Sequence, residues 1–225
     1  MKQYNVLDLF CGCGGLSKGF EMAGYNILLG VDFNEPALKT YKHNHQGSKV
    51  LCGDLSAPDT FDKIDTLIEG KRIDVIVGGP PCQGFSLTGP RNFDDERNKL
   101  YLAMIETVKR YSPKAFMIEN VPGMATLYKG EVKEEIIRRF TDMGYTVSCK
   151  ILCAADYGVP QIRKRLVFIG LKDDNNEFVF PTPTHLPENY ISCEEAISDL
   201  SQRKADYNQL NPHKPTRICG FVVPL

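Results

Sequence analysis

Long apolar runs are missing from this sequence of 225 residues. None approaches the roughly 20 residues that a membrane-spanning helix needs, and Met1-Lys-Gln-Tyr-Asn-Val leads straight into a strand pattern, unlike a signal peptide. A charge excess is missing too: 27 Lys and Arg stand against 28 Asp and Glu, a formal net charge of -1. Overall charge therefore gives no support to nucleic-acid binding, which would have to rest on local basic clusters or on a partner. Paired zinc-ligand spacing is absent, since the eight cysteines are scattered as Cys11, Cys13, Cys52, Cys82, Cys149, Cys153, Cys193 and Cys219. The other metal-like grouping, His43-x-His45 near Cys52, reads as the surface of a helix end. The expectations are reduced thiols, no metal, no membrane contact and a cytoplasmic location.

What is present is alternation. Apolar strand patterns at 4–10, 27–31, 50–52, 73–77, 115–118, 145–152 and 166–171 are separated by helical patterns at 16–23, 36–43, 61–69, 100–111 and 132–143. Such a βαβ series predicts an α/β fold, a mostly parallel sheet with helices on both faces and ligands along the strand carboxyl ends. The length suits one domain of ordinary size.

Those ends carry most of the candidate chemistry. The first loop, Cys11-Gly-Cys-Gly-Gly-Leu-Ser-Lys-Gly19, is dense in glycine, so its backbone can approach a ligand closely. It lacks the dinucleotide fingerprint: Gly12 and Gly14 suit the first two positions, but the third falls on Ser17. Asp32 lies 20 residues after Gly12, where a carboxylate could accept both hydroxyls of a ribose, or could cap a helix. Phe33 could stack on adenine, and Asp54 could accept from its amino group or simply shape a turn.

The stretch Val75-Ile-Val-Gly-Gly-Pro-Pro-Cys-Gln-Gly-Phe-Ser86 delivers a cysteine from a buried strand. Pro80 and Pro81 fix their own φ and hold the preceding residues extended, so Cys82 leaves in a restricted direction. Most cysteines are inert small hydrophobes, but this one sits where open α/β sheets place their active sites. A polar loop follows to Lys99, a solvated loop or a lid that brings Ser86, Arg91, Arg97 and Lys99 to phosphates. Glu119 ends the apolar run from Ala115 and could act as an acid or cap the next element. In Pro160-Gln-Ile-Arg-Lys-Arg165, alternation puts Arg163 and Arg165 on one face.

Assembled, these motifs resemble the cytosine-5 DNA methyltransferases. Asp8-Leu-Phe-Cys-Gly-Cys-Gly-Gly15 is similar to their first motif, Gly79-Pro-Pro-Cys-Gln-Gly-Phe-Ser86 to the nucleophile motif, Glu119-Asn-Val121 to the next and Gln161-x-Arg-x-Arg165 to the one after. Asp94-Asp-Glu-Arg97 looks like the family's lid. The resemblance covers about 4–200, in family order. It implies a Rossmann-like S-adenosylmethionine-dependent methyltransferase fold, and a restriction-modification setting. It also implies catalytic Cys82, Glu119, Arg163 and Arg165, with Ser86, Arg91 and Arg97 on duplex DNA. In it, Phe10, Gly12, Cys13, Gly14, Gly15, Asp32, Phe33, Asp54, Leu55 and Pro81 hold S-adenosylmethionine. Cys82 attacks C6 of a flipped-out cytosine, Glu119 holds N3 and the exocyclic amine, and Arg165 donates to O2.

After about residue 171 the composition shifts to Pro, Asn and mixed charge, through Pro181-Thr-Pro-Thr-His185, a short helical stretch at 193–200 and Asn211-Pro-His-Lys-Pro215. We therefore expect a catalytic domain at 1–171 and a linker region at 172–225 leading toward a target-recognition domain. That domain and the family's last two motifs, with a closing helix, are not in the sequence. Truncation or a split enzyme whose second chain supplies them are both open. Three rival readings also remain: a nucleotide-dependent oxidoreductase, a tRNA cytosine-5 methyltransferase and a non-catalytic DNA- or cofactor-binding module.

Overall fold

The structure is a computed structural model that describes residues 3–81, 99–173 and 177–198. β1 (Asn5–Leu9), β2 (Asn26–Asp32) and β4 (Val75–Gly78) are buried along almost their whole length, as strands covered on both faces must be. With β3 (Lys49–Cys52), β5 (Ala115–Asn120), β6 (Tyr145–Cys153) and β7 (Lys164–Lys172) they form a seven-stranded sheet in the order β3-β2-β1-β4-β5-β7-β6. The first five strands pair in parallel, whereas β7 runs antiparallel to both β5 and β6. The mostly parallel sheet follows from the alternation in the sequence. The reversed β7 does not, because periodicity carries no strand direction.

Strand order reverses at β1, which lies between β2 and β4, and the crevice at such a switch point is where open α/β sheets bind ligands. On one face α3 (Pro58–Ile68), α4 (Lys99–Tyr111) and α5 (Glu131–Thr141) build the larger core, in which Ile64, Met104, Ile136 and Phe140 meet Leu7, Ile76 and Phe116. On the other, α1 (Gly15–Met22) covers Val6, Ile27 and Val75, and α2 (Glu35–Asn44) covers the β2–β3 end through Leu38 and Tyr41. α6 (Cys193–Ile197) is short and opens with a capping box between Ser192 and Glu195.

Those two helices leave part of their face open. An apolar trough of about 670 Å³ runs from Leu16 and Phe20 of α1 across Met117 of β5 to Ile169 and Leu171 of β7. Residues 177–198 do not fill it; they are tied along its far side. Phe178 N–H donates to Ser148 Oγ at 2.8 Å, and Tyr157 Oη donates to the Pro181 carbonyl at 3.0 Å. The Asp156 carbonyl accepts from Thr184 and His185 N–H at 2.9 and 3.0 Å. Among the described residues no helix is long and apolar enough to cross a membrane.

Candidate active site

The glycine loop leaves β1 through backbone that turns sharply left-handed at Phe10, Gly12 and Gly14, with φ of 56°, 52° and 92°. Its position is fixed from the next strand: Gly12 N–H donates to Asp32 Oδ2 at 2.9 Å, and Cys11 N–H to the Val31 carbonyl at 3.1 Å. Asp32 Oδ1 accepts from Asn34 N–H at 2.8 Å. The helix cap is Asn34, whose side chain accepts from Ala37 N–H, so Asp32 is not spent on capping. Each Asp32 oxygen thus takes one backbone donor, and a carboxylate can accept about four. Room remains for two ribose hydroxyls. Phe33 beside it is 68% exposed, an aromatic face available for stacking. Gly53 N–H reaches the Asp32 carbonyl at 3.0 Å, which sets the β3 end next to the β2 end. There Asp54 Oδ1 accepts from Ser56 N–H and Oγ at 2.8 and 2.7 Å, the turn that its sequence also suggested, and Leu55 is buried. These groups together have the chemistry to hold a nucleoside: donors from a tight loop, a carboxylate, an exposed aromatic and a second carboxylate.

Beneath the loop lies a polar network that the sequence did not reveal. Asp8 is fully buried, and its Oδ2 accepts from Ser17 Oγ at 2.6 Å and Ser17 N–H at 3.2 Å; Ser17 Oγ also meets Tyr41 Oη at 2.7 Å. Oδ1 has no hydrogen-bond partner among the described residues. Burial away from water therefore pushes the Asp8 carboxyl up to about 7, although the Ser17 bonds oppose it. The folded chain then holds this proton more tightly than the unfolded chain, whose ordinary value is 3.8. The stabilisation is complete below that value and is lost as pH rises through about 7. Asp8→Asn is expected to remove a slope of up to about 1.4 kcal/mol per pH unit between these limits. Urea unfolding of both proteins at pH 5 and 7.5 measures it; equal slopes refute the assignment.

The second half of the site gathers at β4 and β5. Glu119, at the carboxyl end of β5, has Arg165 Nε at 2.5 Å and Arg163 Nη2 at 3.8 Å from its Oε1. Oε1 is closed to solvent and engaged by charge rather than by an aligned hydrogen bond. The expectation that Arg163 and Arg165 share a face holds, and the face they share is that of Glu119. Gly79 lies against the other oxygen: a Cβ there would stand 3.2 Å from Glu119 Oε2 and crowd it, so glycine keeps this approach open. Asn120, which the sequence marked only as the middle residue of Glu119-Asn-Val121, is buried and donates from Nδ2 to the Pro80 carbonyl at 3.0 Å. It pins the Pro-Pro step to β5. Pro81 is exposed at the edge of this step. Cys82, Ser86, Arg91 and Arg97 lie outside the described residues.

One reading is corrected. His45 is not at the surface; it is 2% exposed, with both ring nitrogens occupied by protein acceptors. Among the described residues no group of three or more metal-ligating side chains occurs.

The model of the C-5 cytosine-specific DNA methylase family matches residues 4–217. The chain belongs to that family. Curated relatives similar to this chain include the type II methyltransferase M.DdeI of Desulfomicrobium norvegicum, 46% identical over 202 residues, 87% of this chain and 48% of that protein. M1.HphI of Haemophilus parahaemolyticus is 42% identical, over 91% of this chain and 55% of its own. The chain thus spans about half the length of the curated relatives it matches. Among solved structures, an E. coli prophage protein described as a DNA modification methyltransferase superposes with a TM-score of 0.71 at 31% identity, over 87% of this chain and 54% of its own. Spodoptera frugiperda DNMT2, at 22% identity and a TM-score of 0.65, shares the fold, over 91% of this chain and 61% of its own.

Proposed function

We propose that this chain is the catalytic part of an enzyme that transfers a methyl group to C5 of a flipped-out cytosine in duplex DNA. The observation that carries the reading is the meeting of Glu119, Arg163 and Arg165 with a Pro-Pro step that Asn120 pins one peptide ahead of Cys82. Cytosine C5 is a poor nucleophile until something adds at C6. The Cys82 thiolate adds there; the free thiol has a pKa of about 8.5, and nearby arginines favour its ionised form. As Cys82 adds, the Glu119 carboxyl gives its proton to N3 and accepts from the exocyclic amine, Arg165 donates to O2, and Arg163 supports that loop. Once C5 carries the new methyl, a base removes the C5 proton, the N3 proton returns to Glu119 and Cys82 leaves by elimination. S-adenosylmethionine, when bound, supplies the electrophilic methyl. The loop amides, Asp32, Phe33 and Asp54 fit its nucleoside, with Phe10, Cys13, Gly14, Gly15, Leu55 and Pro81 around them.

Duplex DNA is the proposed partner, with Ser86, Arg91 and Arg97 on its phosphates. Target recognition and closure of the cofactor pocket fall to a further part, in the same protein or in a second chain. The open trough supports this, because Ala115 and Met117, on the strand face that also carries Glu119, line uncovered apolar surface. Tritiated methyl transfer to duplex DNA is expected when the chain is mixed with a complementing C-terminal fragment, and little from the chain alone. Full activity without the fragment refutes the division, and transfer confined to tRNA in a competition assay refutes the substrate.

A further inference from the structure

We propose that His45 is a positioning residue that clamps the cofactor loop through the carbonyl of Gly14. Its Nε2 lies 3.1 Å from Gly14 O, and its Nδ1 lies 2.8 Å from Glu21 Oε1. A carbonyl and a carboxylate both accept and neither donates. Both contacts are hydrogen bonds only when both ring nitrogens carry hydrogen, since a neutral imidazole has one N–H to give.

The surroundings suit such a ring. His45 closes α2, and the carboxyl end of a helix favours a cation. Its counter-ion Glu21 sits on α1, with Oε2 turned to Lys18 Nζ at 3.5 Å. The Tyr41 ring packs against it with centroids 4.4 Å apart, and through Tyr41 and Ser17 the ring is linked to Asp8 on β1. The fit at the loop is close: a Cβ on Gly14 would fall 2.1 Å from Nε2, and Gly14 has φ of 92°. The clamp therefore holds the residue that turns the loop into α1. It joins three elements whose ends meet under the proposed nucleoside site, so releasing it should loosen the loop amides before it disturbs the core.

The link from clamp to cofactor rests on the function proposed above, whereas the clamp does not, and the test separates them. In the full chain, proton–nitrogen correlation spectra of the His45 ring are expected to show hydrogen on both nitrogens. In His45→Ala, amide exchange at Gly12 and Gly14 should accelerate and S-adenosylmethionine affinity by calorimetry should fall, each about tenfold. Glu21→Gln, which keeps the size of a partly exposed side chain, should show the same changes at smaller amplitude if His45→Ala fails to fold. A single ring hydrogen, or unchanged exchange in both variants, overturns the clamp. Unchanged affinity in a variant whose loop has loosened overturns its positioning role. Absence of cofactor binding by the wild-type chain together with its complementing C-terminal fragment, with ring and exchange as expected, overturns the cofactor reading and leaves the clamp supported.

Discussion

With the complementing C-terminal fragment present, Cys82→Ala is expected to abolish the covalent complex with duplex DNA carrying 5-fluorocytosine, while cofactor and DNA binding persist. Fluorine at C5 blocks the last proton removal, so the Cys82–C6 bond accumulates and is read as a band that survives denaturing electrophoresis. Alanine removes the sulfur that forms that bond. Two other thiols are poor substitutes: burial first, then Asp8 and Asp32, pushes the Cys11 thiol far up, and burial raises Cys149 to about 11. The backbone up to Pro81 is held by β4 and by Asn120, elements that the change does not touch. Trapping should thus fall to background with no change in urea midpoint. A trapped band of wild-type intensity from the variant would remove Cys82 from the mechanism.

The fold was legible because alternation of apolar runs and helical patterns is a one-dimensional signal. The helices read at 100–111 and 132–143 are found at Lys99–Tyr111 and Glu131–Thr141. What failed to show was anything set by tertiary contact. Ala115-Phe-Met-Ile118 reads as a strand buried on both faces, yet Phe116 and Ile118 enter the core while Ala115 and Met117 border an open trough. An apolar strand looks the same whether its second cover is present or not. His45 was misread for a related reason: a polar residue at a helix end is usually exposed, and its burial depends on Gly14 and Glu21, far away in sequence. Asn120 was overlooked because its acceptor, the Pro80 carbonyl, is 40 residues distant. In the site itself, strand ends located Asp32, Phe33, Asp54 and Glu119. The ion pair of Glu119 with Arg165 required the antiparallel β5–β7 register that no local pattern encodes.

That ion pair leads to the second large effect. Glu119→Gln is expected to lower the rate of methyl transfer by about 10²- to 10⁴-fold, the range associated with a positioned acid or base. The isosteric amide keeps the shape of the site but not its charge. Arg165 Nε at 2.5 Å and Arg163 Nη2 at 3.8 Å lose their shared counter-charge, in a place where the carboxylate side chain is only 17% exposed. Two guanidinium donors then compete for the one carbonyl oxygen of glutamine, which turns its NH2 toward the cytosine ring. The amide has no acidic proton to give N3, so electron flow toward C5 is no longer assisted. Cofactor affinity should hold, because the β1 and β2 ends do not contact Glu119. Single-turnover methylation with the complementing fragment, beside a calorimetric cofactor titration, separates the two quantities. A rate within a few-fold of wild type would show that charge at Glu119 is not used in the chemical step, leaving the pair with Arg165 as a purely structural tie between β5 and β7.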